Sequence, residues 1–437
     1  MENILPRIIA DFHERPYPAL RRRRKKIPLD TGKIITIVGP RRAGKTYFLF
    51  QLMGELEARG VSKNRIIYLN FEDERLDLAG DYDRIFQAYL ALYPDADLSE
   101  CHLFFDEIQE LPNWEKFVRR VYDTHTRRIF LTGSNARFLS TEIATALRGR
   151  SLSFEIFPLS FREYLDFREM EPEQRHSTRG AARFAAAFRN YATWGGFPEL
   201  TVVEDSLKAQ ILQEYFHVMI YRDLVERYAI RDVSVLKYLL KRMIAAFTRE
   251  FSINRLFNDL KSRGFAIGKD HLYALADQVF SIYMLASVEK YDPSVVRREM
   301  SNRKIYLHDN GFASISHYAF FQDRGKLLEN LVYSHLRRHA DEIFFAKNGG
   351  ECDFLAFSRG LPPLAVQVTQ TLTEENRDRE LRGFGILRNP LPSAAPLLLI
   401  AEPAAPDLAI PEDRRPAMTP EWLLRDSPWD LEGLGSP

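Results

Sequence analysis

Read from the amino terminus, short runs of β-branched and apolar residues alternate with stretches whose apolar positions recur every three or four residues. The run Ile-Ile-Thr-Ile-Val at 34–38, bounded by Gly32 and Gly39, predicts a short buried strand. From 46 to 59, Phe48, Leu49, Leu52 and Leu56 fall on one face of a helix. Further strands are predicted at 66–71, 103–105 and 129–132, with helical patterns between them. Strands that alternate with helices imply a parallel sheet covered on both faces.

After Pro158 the pattern turns helical through to about 228, interrupted at Gly195, Gly196 and Pro198. Residues 233–310 read as helices with turns at Ser252, Gly264 and Gly268, then an apolar stretch at 279–288 and a strand-like 305–307, an order like that of a winged helix. A further body opens with an amphipathic helix and continues with strands at 342–346, 353–357 and 364–369. A helix at 374–384, a strand at 397–401 and a short helix after Pro420 complete it, with a proline-bearing loop at 402–416. The expected bodies are thus a helical, basic piece at 1–30, an α/β core at 31–160, a helical lid at 161–232, a winged-helix-like domain at 233–310, an α/β domain at 320–425 and a tail at 426–437.

The chain of 437 residues, 45% hydrophobic and 28% charged, has the balance of a folded globular protein, which excludes disordered and fibrous classes. With 61 basic against 60 acidic residues there is no bulk field for nucleic acid or an anionic membrane, so such binding needs a local patch. Cys101 and Cys352 stand far apart with no His/Cys cluster, which excludes a disulfide framework or cysteine zinc site and fits a reducing compartment. No signal segment and no run of about 18 apolar residues is found, so the expected location is the cytoplasm, without a membrane partner.

The sharpest chemical signal is Gly39-Pro40-Arg41-Arg42-Ala43-Gly44-Lys45-Thr46, the pattern G-x-x-x-x-G-K-[ST] directly between a predicted strand and a predicted helix. The glycines let backbone N–H groups wrap a phosphate, the helix start adds a positive dipole, and Lys45 supplies a point charge to the β and γ phosphates. Thr46 would ligate Mg²⁺, and the binding segment extends to Tyr47. Hydrolysis also needs a metal-holding acid and a base. Leu103-Phe104-Phe105-Asp106-Glu107 offers both, Asp106 for Mg²⁺ and Glu107 to activate water. The next strand ends in Thr132-Gly133-Ser134-Asn135, where Thr132, Ser134 or Asn135 would either sense the γ-phosphate or cap the next helix.

Together with Tyr68 to Asp73, Phe105 to Gln109, Leu147-Arg148-Gly149-Arg150, Pro158-Leu159-Ser160-Phe161 and Gly195-Gly196-Phe197-Pro198, this set resembles a known family. It is similar to the bacterial and archaeal AAA-type ATP-binding proteins whose C-terminal domain of unknown function resembles a restriction endonuclease. The resemblance implies an AAA+ fold, oligomers with ATP at a subunit boundary, and a neighbour's arginine completing the site. Arg148 and Arg150 are the candidates, against a plain surface pairing for either. A lid arginine does not follow the Gly195-Gly196 turn, where Glu199 stands, and Arg222 is the substitute.

The run Arg21 to Lys26 reads as a solvated face or linker or else as a phosphate-binding patch, and the helix starting at Lys269 with His271 and Tyr273 could approach a DNA duplex, opposed by Asp270 and Asp277; winged helices also bind proteins. At the carboxy-terminal end, Glu329, Asp353 and Gln367-Val368-Thr369 resemble the PD-(D/E)xK nuclease order, but the E-x-K position has lost its acid and its lysine. Lys347 is the one migrated lysine considered. The sequence therefore predicts an ATPase that uses Mg-ATP to do conformational work on a partner, with a degenerate nuclease-like domain. A slow nucleotide-gated switch and a metal-dependent nuclease are the alternatives.

Overall fold

The computed structural model describes residues 4–76, 78, 80–133, 147–172, 177–315, 323–387, 391, 393–402, 410, 411 and 414–432. They form two compact units, Met1–Phe157 and Pro158–Pro437.

In the first unit, β1 (Ile34–Val38), β2 (Ile66–Asn70), β3 (His102–Asp106), β4 (Ile129–Gly133) and β5 (Ser151–Glu155) make a parallel sheet in the order β2-β3-β4-β1-β5. Every residue of β1, β3 and β4 is buried. Alternate residues serve opposite faces. Ile35, Ile37, Phe104 and Phe130 pack under α2 (Lys45–Ala58), whereas Ile34, Val38, Leu103, Phe105 and Leu131 face α1 (Ile4–Glu14), α3 (Arg84–Leu92) and α4 (Trp114–Thr124). Both faces need apolar side chains, so these strands read as continuous apolar runs. β5 is an edge strand absent from the sequence reading: Ser151, Leu152, Ser153 and Phe154 are at most half-buried, and they form no apolar run.

The second unit holds α5 (Phe161–Phe167), α6 (Thr178–Trp194), α7 (Asp205–Ile220), α8 (Val233–Ala245), α9 (Ile253–Ser262), α10 (Lys269–Phe280), α11 (Val295–Met300), α12 (Arg324–Leu336), α13 (Glu374–Gly385) and α14 (Thr419–Trp422). Its strands are β6 (Glu250–Phe251), β7 (Leu285–Lys290), β8 (Arg303–Leu307), β9 (Glu342–Lys347), β10 (Glu351–Phe357), β11 (Leu364–Thr369), β12 (Ala395–Ile400) and β13 (Pro416–Met418). All eight belong to one sheet, β13-β12-β11-β10-β9-β7-β8-β6. The segments expected as separate bodies at 233–310 and 320–425 are joined in it by the parallel pair β7 and β9, with Glu289 opposite Phe344. Burial also crosses the boundary expected at 232, because Leu159, Tyr164 and Tyr191 share a core with Tyr306, Leu331 and Phe354.

The glycine pair before Phe197 is explained by a buried carboxylate. Asp309 accepts the N–H groups of Gly196 and Gly311, both at 2.8 Å. Burial raises its pKa to about 6 against those two bonds. A Cβ on Gly196 would stand 2.2 Å from the Leu159 carbonyl oxygen, whose own N–H donates to Gly196 O at 2.6 Å. Gly196→Ala is therefore expected to cost about 3 kcal/mol, the upper end for an overpacked site, and thermal unfolding should register a midpoint lower by several degrees.

Candidate functional site

β1 ends at Val38 and the chain turns through 39–44 into α2. Gly39 has φ +147°, and a Cβ there would lie 2.1 Å from the Ile156 carbonyl oxygen, so no larger residue fits beside the strand-β5 exit. Arg42 and Gly44 are left-handed, φ +65° and +92°, in a turn that presents backbone N–H groups at the start of α2. No side chain caps that helix, which suits an anion.

Lys45 is buried at 4% exposure, and its Nζ donates to the carbonyls of Gly39 and Pro40, each at 3.2 Å. The same ammonium is 3.6 Å from Glu107 Oε1. Thr46 Oγ1 donates to Asp106 Oδ2 at 2.8 Å, and Tyr68 OH donates to that oxygen at 3.2 Å. β1 and β3 thus bring Lys45, Thr46, Asp106 and Glu107 into one place. Tyr47 is 56% exposed beside the loop, Arg41 pairs with Glu72 at 3.1 Å, and Ala43 is buried.

Thr132 stands beside the two acids. Its hydroxyl donates to Asp106 Oδ1 and accepts the Glu107 N–H at 2.8 Å, so it sits beneath the two acids and orients them. Ser134 and Asn135 lie outside the described residues. Glu107 is left-handed, φ +50°, a conformation that costs a non-glycine residue about 1 kcal/mol. Its Oε2 accepts from Gln109 Nε2 at 2.6 Å. Burial raises the pKa of Asp106, against the hydrogen bond from Thr132. Burial acts the same way on Glu107, but the Lys45 charge and the Gln109 amide outweigh it, and the carboxyl falls below its ordinary value.

Arg148 and Arg150 are not near this loop. β5 pairs in parallel with β1 from Ser151 opposite Ile34 to Glu155 opposite Val38. Arg150 therefore stands at the other end of the sheet, on the order of 15 Å away at the usual rise per residue. It pairs with Asp123 at 3.1 Å, whereas Arg148 is exposed and left-handed, φ +49°. Arg222 is exposed on the turn Tyr221–Glu226 of the second unit.

The basic run contains a residue that sequence reasoning missed. Arg23 is 8% exposed and donates to the carbonyls of Ala43 at 2.9 Å and Phe157 at 2.8 Å. Its N–H donates to Gln51 of α2 at 2.8 Å. It braces the back of the phosphate loop, and nothing distinguishes it in sequence from its five exposed basic neighbours.

In the second unit the acids singled out do meet, around an unexpected cation. Lys304 of β8 is buried; its Nζ lies 2.6 Å from Glu351, 3.3 Å from Glu329 and 4.0 Å from Asp353. Tyr306 OH donates to Glu329 at 2.7 Å, and Asp353 accepts the Val368 N–H at 2.9 Å. Lys347, the migrated lysine expected from sequence, is half-exposed and pairs with Glu250 at 2.5 Å and with Glu351 at 3.7 Å, so it reaches the edge of the cluster. Gln367 donates to Glu380 of α13 at 2.8 Å, so a carboxylate stands beside the neutral position after all. Burial draws Lys304 toward deprotonation, but Glu329, Asp353 and Glu351 reverse this and hold its pKa above the ordinary lysine value. Burial and the Glu329 charge push Asp353 well above the carboxylate range. No group of three or more His, Cys, Asp or Glu suited to a metal ion occurs among the described residues, and none of their helices is long and apolar enough to cross a membrane.

Residues 31–165 match a family model described as an AAA domain, and residues 185–319 match a domain of unknown function, DUF8612. An uncharacterized Methanocaldococcus jannaschii protein, MJ1544, is 37% identical over 82% of this chain and 79% of its own length. An uncharacterized Haemophilus influenzae protein is 26% identical over 80% of this chain and 86% of that protein. The Aeropyrum pernix Orc1 protein, solved in complex with DNA, aligns over 66% of this chain and 87% of its own at TM-score 0.33 and 15% identity, a score from which no residue correspondence follows.

Proposed function

We propose, for a chain that belongs to the same family of AAA-domain P-loop proteins as MJ1544, the binding and hydrolysis of Mg-ATP to drive conformational work on a partner. One observation carries this reading: Lys45, Thr46, Asp106 and Glu107, distant in sequence, converge at the mouth of one loop. The group fits its ligand. Lys45 has only two long carbonyl contacts and an acid, so a triphosphate would be its better partner. Mg²⁺, when bound, supplies charge neutralisation, and the Thr46 hydroxyl and Asp106 carboxylate are the groups to hold it. The N–H groups of 39–44 bind phosphate and orient it. Glu107, ionised at neutral pH, is the base that takes a proton from water, and Gln109 holds its carboxylate in place.

In this reading Arg148, exposed at the far edge of the sheet, serves the site of a neighbouring copy in a homo-oligomer, and Ser134 or Asn135 senses the γ-phosphate. The winged-helix-like order of α8 to β8 suits DNA or a protein partner. The carboxy-terminal strands are a degenerate endonuclease-like body kept for binding. Metal-dependent cleavage is disfavoured because the Lys304 ammonium already sits among the acids where a cation would have to go. A slow nucleotide-gated switch is favoured by one feature, the hold of Lys45 on Glu107, which must break before the carboxylate can act.

Phosphate release from Mg-ATP tests the proposal. Wild type is expected to turn over, and Lys45→Ala to lose both ATP binding and release. Tight ATP binding by wild type without release would remove hydrolysis and leave the switch.

A further inference from the structure

The second unit contains a basic cleft beside the carboxylate cluster, and its Lys347 ammonium stands 3.7 Å from Glu351 of that cluster. The cleft lies between the end of α8, β6 and the start of α9, has a volume of about 630 Å³, and its wall includes Arg242, Arg249, Arg255 and Lys347. Glu250 is the one carboxylate among the described residues of this wall, so four cations face one acid, a net charge of +3. That acid is already engaged by Lys347 at 2.5 Å. The three arginines are exposed, and none of their guanidinium groups makes a hydrogen bond or a contact-distance ion pair among the described residues; the charge of Arg242 is felt by Asp259, which is itself paired with Arg263. This is a local excess in a chain whose formal net charge is +1.

Arginines on a protein surface are commonly answered by nearby acids, as Arg263 is by Asp259 at 3.1 Å and Arg303 by Glu289 at 2.9 Å in this same unit. Three guanidiniums with no acid in contact repel one another in one concavity, and an anionic ligand relieves that repulsion. Ser252, also on the wall, caps α9 by accepting the Arg255 N–H at 3.4 Å, so the positive end of a ten-residue helix adds to the field. Asn302, also on the wall, hydrogen-bonds Glu250.

We propose that this cleft binds the phosphodiester backbone of a nucleic acid. Several forked guanidiniums spread along an open cleft suit successive phosphates better than a single small anion, and such contacts position a strand without reading its bases. The helix expected from sequence to approach DNA is the weaker site. On α10, Asp270 occupies the first turn, and His271 lies 3.7 Å from Asp232, so its cations are locally opposed. The inference names a partner class for the proposed ATPase, but the binding it describes does not require hydrolysis.

The test is fluorescence anisotropy of labelled single-stranded and duplex DNA with the full chain, without nucleotide, across a range of salt. Wild type is expected to bind with an affinity that falls steeply with salt. A triple variant, Arg242→Gln with Arg249→Gln and Arg255→Gln, should bind at least about ten-fold more weakly and lose roughly 3 from the log–log salt slope, near one per phosphate contact. These exposed changes should leave the unfolding midpoint of the chain in place, which separates lost contacts from lost structure. A preference for one DNA form identifies the strand geometry the cleft accepts. Equal binding by wild type and the triple variant, or no salt-dependent binding by wild type, overturns the inference. Because no ATP is present, the result is independent of whether Lys45 and Glu107 support hydrolysis.

Discussion

Glu107→Gln is expected to lower phosphate release by about 10²–10⁴-fold, the usual worth of a positioned general base, while ATP affinity stays within a few-fold. The amide keeps the size of the side chain and loses the basic oxygen. Binding should survive because the phosphate loop, Thr46 and Asp106 are untouched. Affinity should even rise slightly, since Lys45 no longer has to leave a carboxylate 3.6 Å away. Steady-state release and equilibrium titration with a fluorescent ATP analogue would measure the two effects separately. Unchanged release would remove Glu107 from the mechanism, and a parallel loss of binding would mean that its role is structural.

Lys304→Met should destabilise the second unit by roughly 3–5 kcal/mol near neutral pH, as breaking a buried ion pair from one side does. The change removes the cation between Glu329, Asp353 and Glu351 and leaves those acids to repel one another. Asp353 and Glu329 already titrate above their ordinary values in the folded chain, and loss of the ammonium raises them further. A carboxyl whose folded pKa exceeds its unfolded value binds more protons when folded, so its penalty is absent below the unfolded pKa and grows as pH rises through the folded one. The variant's deficit should therefore shrink as pH is lowered from neutral toward 4. Denaturant unfolding at several pH values reads this directly. A pH-independent deficit would mean lost packing of the lysine stem, and no deficit would mean that the cluster is already largely neutral.

Where a signal is local, the chain can be read without coordinates. The phosphate loop was legible because its residues are contiguous and their work is done by backbone hand and a helix start, both properties of neighbouring residues. Asp106 and Glu107 were legible because they end an apolar run, and a parallel sheet delivers its strand ends to one edge. Thr132 was recognised as belonging to that edge, but its bonds to Asp106 and to the Glu107 N–H join residues of a different strand and were not legible. β5 was missed because an edge strand half open to solvent need not carry an apolar pattern. Lys347 was named because it lies on the strand before Asp353, and Lys304, far away in sequence, was not recognised. In space the Lys304 ammonium reaches Glu329, Glu351 and Asp353, residues of a helix and of a strand that is not its neighbour in the sheet.

Sequence alone was enough to decide that a parallel α/β core carries a P-loop and two acids at its strand ends, because alternation, strand burial and loop chemistry are written over spans of a few residues. Three-dimensional packing decided which of six adjacent basic residues is buried behind that loop, which lysine neutralises the acids of the second unit, and where three exposed arginines share one cleft. Charges interact through space with a reach of several ångströms and no regard for position in the chain. Their partners become visible only when folding has chosen them.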